Sequence, residues 1–508
     1  MKRPRFERYF QIAVIGLFTS VISLSAAETE TDYMAILLQG KKIGHAVHIR
    51  AVESDKIITT ERFSMTLGRG GQAVTVASQE KHIETPDGKP LGFEMSLTTS
   101  GVEQKTTGTV QDGKATISRQ VMGQAQELTV DWPAGAMLSE GLRKTGIKHG
   151  LASGTAYEVS LFRPDMLTTV EAKVEVGEKK KIALLLGRQK DLTEVKTTMS
   201  VQGQQIVVTG YVDEQLKAIK TLVPMMGMEL EMVACDEAFA RQENAIVDFL
   251  EKLSIASPVK LINLPVIESA VYTLKPTTDT KLELPISSTQ TVEVTETGLI
   301  VTVTKLQPPK EIAFPYKGDD PKALEALKET DYMQSTNRTI IDLAKRAVGE
   351  TKDAADASRQ IEAFVDGYIT QKDLSVGYAS AAEVAQSRQG DCSEHAVLAA
   401  AMCRAVGIPA RIVCGVVYAD TFLGKQSIFG GHMWVEVYLD GDWYGLDATR
   451  SEQAGFSPGH IALAHGNGDP TDFFGLVNTL GCFEIEKITL NKKKPAAEKA
   501  IEPKKNGE

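Results

Sequence analysis

Gly390-Asp391-Cys392-Ser393-Glu394-His395-Ala396, continuing through Leu398, Met402 and Cys403 to Gly407-Ile408-Pro409, is the stretch that decides how the last third of this chain folds. It carries a full set of helix signals. Asp391 is a good N-cap, and Glu394 three residues on completes a capping box. Gly407 and Pro409 end the helix. Cys392 is then the first helical residue, where free backbone N–H groups and the helix dipole favour negative charge. Those conditions lower a cysteine pKa and make a nucleophile, although a small buried residue at a helix start looks the same.

A second stretch separates these readings. Gly431-His432-Met433-Trp434-Val435-Glu436-Val437-Tyr438-Leu439 alternates as a strand, with His432, Trp434, Glu436 and Tyr438 on one face. Asp440-Gly441 is the favoured pair for a two-residue hairpin turn, after which Asp442 to Asp447 returns as the partner strand. Such a turn sets Leu439 opposite Asp442 and Asp447 opposite Trp434. Asp447 then lies diagonal to His432 on the same face, roughly 7–8 Å away and within side-chain reach. A three-residue turn would reverse the parity and separate them. Cysteine, histidine and aspartate on these elements form a Cys-His-Asp arrangement. In it the imidazole activates the thiol and the carboxylate orients the imidazole.

The region from about Thr336 to Thr449 resembles the transglutaminase-like (papain-like cysteine acyl transferase) superfamily as it occurs in bacteria. The motifs behind the resemblance are the Cys392 and His432 stretches above, Ala405-Val406-Gly407-Ile408-Pro409-Ala410-Arg411, and Trp443-Tyr444-Gly445-Leu446-Asp447-Ala448-Thr449. The resemblance implies an α+β fold: a papain-like core with the cysteine helix packed on an antiparallel sheet. It implies attack on an amide carbonyl through a thioester, with Cys392 as nucleophile, His432 as general base and acid, and Asp447 as orienting carboxylate. Hydrolysis of a peptide or isopeptide is the expected outcome, and transfer to an amine is the alternative. The family adds an aromatic or amide oxyanion donor upstream, for which Tyr378, Gln386 and Gln389 stay open beside the Cys392 N–H. No cofactor or metal is expected, and no dense acidic loop argues for calcium.

Several neighbours read as bystanders. His395 lies one turn beyond Cys392 and points alongside it. Cys403 returns to nearly the same helix face and should pack against the strand bearing Cys414, as two core thiols or a disulfide. Trp434 and Trp443 read as packing residues, and His460 and His465 as loop residues with no ligand partner at zinc spacing. Asp420 to Gly431, ending in Gly430-Gly431, reads as a glycine-hinged loop forming one wall of the cleft.

Outward from this region, Gln307-Pro308-Pro309 reads as a linker, and the helices Thr339–Val348 and Asp356–Ile369 follow it. Residues 236–310 read as a helix (Glu237 to Leu253) plus a small β region, and 311–490 as the transglutaminase-like domain. Residues 28–235 read as strand after strand with turns such as Asp87-Gly88 and Asp112-Gly113, an antiparallel β-rich region forming a wide twisted sheet or partly open barrel. One interruption, Ala134 to Thr145, suits a short helix. His45 and His48 are three apart in one strand and so face opposite ways. Gly68-Arg69-Gly70-Gly71 lacks the residues of a phosphate loop and reads as a turn.

The ends are distinct. Lys2, Arg3, Arg5 and Arg8 precede an apolar run from Ile12 to Leu24 and the small residues Ser25-Ala26-Ala27. This is the pattern of a signal peptide over residues 1–27, since the run falls short of the ~20 residues a membrane span needs. Residues 491–508 are Lys-rich and read as a solvated tail. Among 508 residues 24% are charged and 42% hydrophobic, which excludes collagen-like, wholly disordered and polytopic membrane chains. The net charge of −10, about −13 once the cationic leader is removed, argues against nucleic acid as a partner. Five cysteines cannot all pair. The expectation is an exported enzyme, periplasmic or secreted, acting on a protein or peptide of the cell envelope and lacking a transmembrane segment after cleavage. The competing reading is a non-enzymatic binding or assembly protein of the envelope.

Overall fold

The computed structural model describes residues 29–492, apart from 70–71, 100–101, 122–123, 202–203, 249–252, 280, 373–378, 454, 469–471 and 473. The leader, residues 493–508 of the Lys-rich tail, and Tyr378 therefore lie outside the described residues. No helix among the described residues is long and apolar enough to cross a membrane.

The N-terminal half is one fifteen-stranded sheet. Its first strand, Thr29–Leu38, sits mid-sheet, between Lys41–Glu53 on one side and Met228–Cys235 on the other. The chain meanders outward by hairpins to Gln124–Asp131 at one edge, crosses to the other edge, and meanders back from Ala156–Arg163. The crossing contains Ala136–Met137 and a helix, Ser139–His149. The interruption expected at Ala134–Thr145 is thus helical, displaced a few residues toward the C-terminus.

Alternation of apolar and polar residues makes one face of this sheet sticky, and the sheet rolls to bury it. Phe63, Val76 and Leu97 from the outgoing strands share a core with Val159, Val195 and Ile206 from the returning ones. The two ends meet where Phe93 packs on Phe162, with ring centroids 5.3 Å apart. The edge strands Gln124–Asp131 and Ala136–Met137 do not pair with each other among the described residues, so the roll is a partly open barrel. His48 is buried against Glu61 while His45 stays part-exposed, as their spacing requires. The Ser139 helix plugs one end. Its N-cap, Leu138, has no side-chain bond to offer, and the Glu84 carboxylate supplies the acceptor instead, taking the N–H groups of Glu140 (2.6 Å) and Gly141 (2.9 Å).

The C-terminal half is α+β. A five-stranded sheet holds Ala410–Phe422 between Lys425–Leu439 and His460–Gly466, with Asp442–Leu446 and the short Ile255–Ala256 along the outer side of Lys425–Leu439. A four-stranded sheet pairs Ile267–Pro276 with Leu299–Thr304 on one side and the last strand, Phe483–Lys492, on the other. Residues on both sides of position 310 therefore share one sheet, and one core joins both small sheets to the helices Arg338–Val348, Ala354–Tyr368 and Cys392–Ala405. Gln290 stitches the sheets together, its amide bonding Ala462 N (2.8 Å) and Ala462 O (3.0 Å).

Two expectations need correction. Among the described residues, the helix expected over Glu237 to Leu253 is confined to Glu237–Ala240. The next residues lie extended against the barrel, with Ala245 N bonded to Lys42 O and Gly68 N to Val247 O, so sheet partners outcompete helical bonds. The loop expected at Asp420–Gly431 is a strand pair with a tight turn, since Phe422 faces Lys425 and Tyr418 faces Phe429. Ile428 and Phe429 are buried and pair edge to edge with Ile255–Ala256.

Candidate active site

The Cys392 helix begins where its cap residues require. Asp391 Oδ1 accepts from Ser393 N (3.0 Å), and Glu394 Oε2 accepts from Asp391 N (3.0 Å), closing the capping box. Glu394 is fully buried, and its other oxygen takes Ala379 N at 2.9 Å, tying the incoming chain to the helix start. Gly390 has no alternative, because a Cβ there would lie 2.2 Å from the Cβ of Glu394. Small residues at Ala396, Ala399, Ala400 and Ala401 let the helix sink into the core, with every residue from Ser393 to Arg404 buried. Cys392 stays half-buried at its tip.

The hairpin has the register set by its turn. Leu439 faces Asp442, and both turn residues, Asp440 (φ 49°) and Gly441 (φ 95°), take the left-handed conformation of a two-residue turn. His432 and Asp447 consequently meet: His432 Nε2 lies 2.8 Å from Asp447 Oδ2. The Cys392 helix packs on the His432 strand and on the turn of 3-10 helix Ala448–Gln453 that follows Asp447.

Asp447 is held by more than His432. His460 Nε2 donates to the same oxygen at 3.0 Å, and Oδ1 accepts from the N–H (3.1 Å) and hydroxyl (2.5 Å) of Thr449. Burial opposes ionisation here, but the His432 charge and the hydrogen bonds of both histidines keep the Asp447 carboxyl well below the usual range. His460 is itself fully buried, and burial pushes its pKa down. Arg450 Nε stands 4.0 Å from Asp447 Oδ2, and its guanidinium is attracted to both Asp447 and the Cys392 thiolate. Behind the pair, Glu362 on the Ala354–Tyr368 helix accepts Asp447 N at 2.6 Å. Burial, reinforced by the Asp447 charge, pushes Glu362 up to about 7.

The bystanders separate cleanly. His395 is buried and turns Nδ1 to the Asp391 carbonyl at 2.6 Å. Cys403 and Cys414 are buried free thiols, and burial pushes Cys403 up to about 12. Gln386 is exposed on the helix Ala381–Ser387, and Gln389 is half-buried just before Gly390. Trp434 packs between His432 and His460, whereas Trp443 lies under the Arg411 guanidinium at 3.9 Å, in a cluster with Tyr438. Arg411 in turn pairs with the buried Glu436 at 2.6 Å.

His460 corrects the sequence reading: it opens a strand rather than sitting in a loop, and it meets a carboxylate thirteen residues earlier in the chain. Ligand atoms of His432, Asp447 and His460 lie within 4.8 Å of one another, close enough to hold a cation. Both ring-to-carboxylate contacts have hydrogen-bond lengths, so the same cluster also serves as a proton-holding network. Thr449 was legible, since an Asp followed two residues on by Thr is a self-capping turn. His460 and Glu362 carried no local signal.

Residues 341–448 match the sequence profile of the Transglutaminase-like superfamily. No curated protein matches the chain. Among solved structures, a β-barrel-like protein of unknown function from Brucella abortus is similar over 42% of this chain and 98% of its own, with 14% identity and a TM-score of 0.33. A candidate cysteine protease from Cytophaga hutchinsonii covers 44% of this chain and 85% of its own, with 18% identity and a TM-score of 0.28. A candidate protease from Parabacteroides distasonis covers 78% and 69%, with 12% identity and a TM-score of 0.18. With its family profile and its capped cysteine helix on an antiparallel sheet, the chain carries over residues 341–448 a domain of the transglutaminase-like superfamily.

Proposed function

We propose that this protein is an exported cysteine enzyme that cleaves amide bonds in peptides or isopeptides of the cell envelope, with Cys392, His432 and Asp447 as its catalytic residues. The observation that carries this reading is the 2.8 Å His432–Asp447 pair beside the helix whose first residue is Cys392. Asp447 on Nε2 leaves Nδ1 of His432 to exchange a proton with the thiol. The thiolate attacks the amide carbonyl carbon, forming a C–S bond, and the oxyanion is held by the Cys392 N–H. His432 gives its proton to the leaving amine as the C–N bond breaks and a thioester remains. Water, losing a proton to His432, attacks the thioester; the C–S bond breaks and the carboxylic acid leaves. An amine in place of water gives transamidation by the same steps.

Export is supported by the basic, apolar and small-residue succession of residues 1–27. The decisive experiment incubates the protein and its Cys392→Ala variant with envelope peptides and seeks a thioester by mass spectrometry. Wild type should show the adduct on Cys392 and new peptide termini, and the variant neither. Cleavage that persists in Cys392→Ala would overturn the reading. A product carrying an added amine would assign transamidation instead of hydrolysis.

A further inference from the structure

We propose that His460 is a positioning residue of the site: its Nε2–H draws on the Asp447 charge that would otherwise serve His432 alone, and so leaves His432 readier to pass its proton to a leaving group. The proposal rests on the Cys392, His432 and Asp447 roles given above. The middle strand of the sheet brings the two imidazoles together. Ala410–Phe422 sets His432 opposite Gly415 and His460 opposite Val417. Positions 415 and 417 lie two apart in one strand, so both rings project from the same face. Gly415 keeps the space between them open, since a Cβ there would stand 2.7 Å from the Trp434 ring.

His460 is held on every side. Trp434 and Phe456 wall in its ring, with centroids 5.1 and 4.9 Å away. Ser457 fixes the far edge, where Nδ1 lies 2.9 Å from the Ser457 carbonyl oxygen and 3.2 Å from its backbone nitrogen. That leaves Nε2 aimed at Asp447 Oδ2, and because the carboxyl is ionised, Nε2 carries a proton whatever the charge of the ring.

A carboxylate accepts at about four sites, and Asp447 meets four donors: two imidazoles on Oδ2, and the Thr449 N–H and hydroxyl on Oδ1. The side chains of Asp447 and His460 are 1% and 0% exposed, so water does not screen the contact, and charge drawn by one imidazole is lost to the other. The contacts of 2.8 and 3.0 Å suit hydrogen bonds, whereas two ligands of one tetrahedral zinc stand roughly 3.3 Å apart. Arg450, 4.0 Å from the same oxygen, also opposes a metal cation there. Arg450, Glu362 and Cys392 face the cluster from neighbouring elements and stay in place in the variants below.

Glutamine and methionine are similar in length and only glutamine has an N–H, so His460→Gln and His460→Met differ in the donor. Without that donor Asp447 stabilises the protonated His432 ring more strongly, and more of Cys392 is held as thiolate. In full-length protein dialysed against EDTA, iodoacetamide at about pH 6 should alkylate Cys392 about 2–10-fold faster in His460→Met than in His460→Gln, the worth of one hydrogen bond. His460→Gln should react at close to the wild-type rate. Structural damage acts in the opposite direction, because a displaced Asp447 slows alkylation. Nitrogen-15 NMR of histidine-labelled wild type should show a proton on His460 Nε2 at the same pH. Equal or slower alkylation in a natively folded His460→Met protein, with circular dichroism reporting the fold, would overturn the proposal. So would a bare His460 Nε2, a His460→Gln protein as fast as His460→Met, or stoichiometric metal in the protein before dialysis. His460→Leu, which also lacks a donor, repeats the comparison should the methionine variant not fold. Alkylation needs no amide substrate, so a failure to cleave peptides counts against the proposed function and leaves this result standing.

Discussion

At the scale of single residues, Asp447 is held on both carboxylate oxygens. One oxygen takes two imidazoles and the other takes Thr449 twice, so its charge and orientation are set before any substrate arrives. Sequence reasoning reached Asp447 through the parity of a two-residue turn, and the structure has that register. It did not reach Arg450, whose guanidinium stands 4.0 Å from Asp447 and interacts electrostatically with Cys392. A half-buried cation there favours thiolate over thiol. Arg450→Met should therefore slow alkylation of Cys392 by iodoacetamide at pH 7 by about 3–10-fold, equivalent to a thiol pKa raised by roughly half to one unit. The rates should converge at a pH where the thiol is fully ionised. Equal rates at pH 7 would show that Arg450 serves Asp447 alone.

At the scale of elements, the helix Ala354–Tyr368 matters for what it aims rather than for its own stability. Its apolar face, with Ile361 and Val365 fully buried, was legible from helical spacing. That the neighbouring Glu362 would receive the Asp447 N–H was not, because the contact spans eighty-five residues. Burial pushes this carboxyl to about 7, above its ordinary 4.5, so the folded chain holds a proton that the unfolded chain has lost. Stability from this group is therefore present below about pH 4.5 and is lost as pH rises through 7. Glu362→Gln, which keeps the acceptor and removes the charge, should gain on the order of 2 kcal/mol over wild type at pH 8 and little at pH 4. Urea unfolding at the two pH values reads this directly. A gain of equal size at both would assign the effect to packing.

At the scale of the whole molecule, the two halves dock through backbone. Gly227, in a hairpin turn of the barrel, and Gly481, just before the last strand, lie back to back, and a Cβ on Gly481 would stand 2.4 Å from Met226 O. Gly481 also has φ +77°, where other residues are strained. Nearby, Asn478 Nδ2 donates to Gln205 O at 2.8 Å, while the exposed Arg119–Asp331 pair adds little. Gly481→Ala should cost about 2–4 kcal/mol and lower or split the calorimetric transition as the halves lose their shared contact. A single transition at unchanged temperature would mean that the halves do not depend on this junction.

Whatever depends on residues close along the chain was legible beforehand: the capped helix that starts at Cys392, the Asp440-Gly441 turn that puts Asp447 beside His432, and the meander of the β-rich half. Helix caps, turn parity and side-chain periodicity are local physics. Tertiary structure alone decided the rest. His460 and Glu362 reach Asp447 from elements whose own sequences give no sign of it, and Ile255–Ala256 turns an expected loop into a paired strand. The last strand joins a sheet begun more than two hundred residues earlier. Such pairings depend on which surfaces meet once the core is buried, and no short window of sequence encodes that.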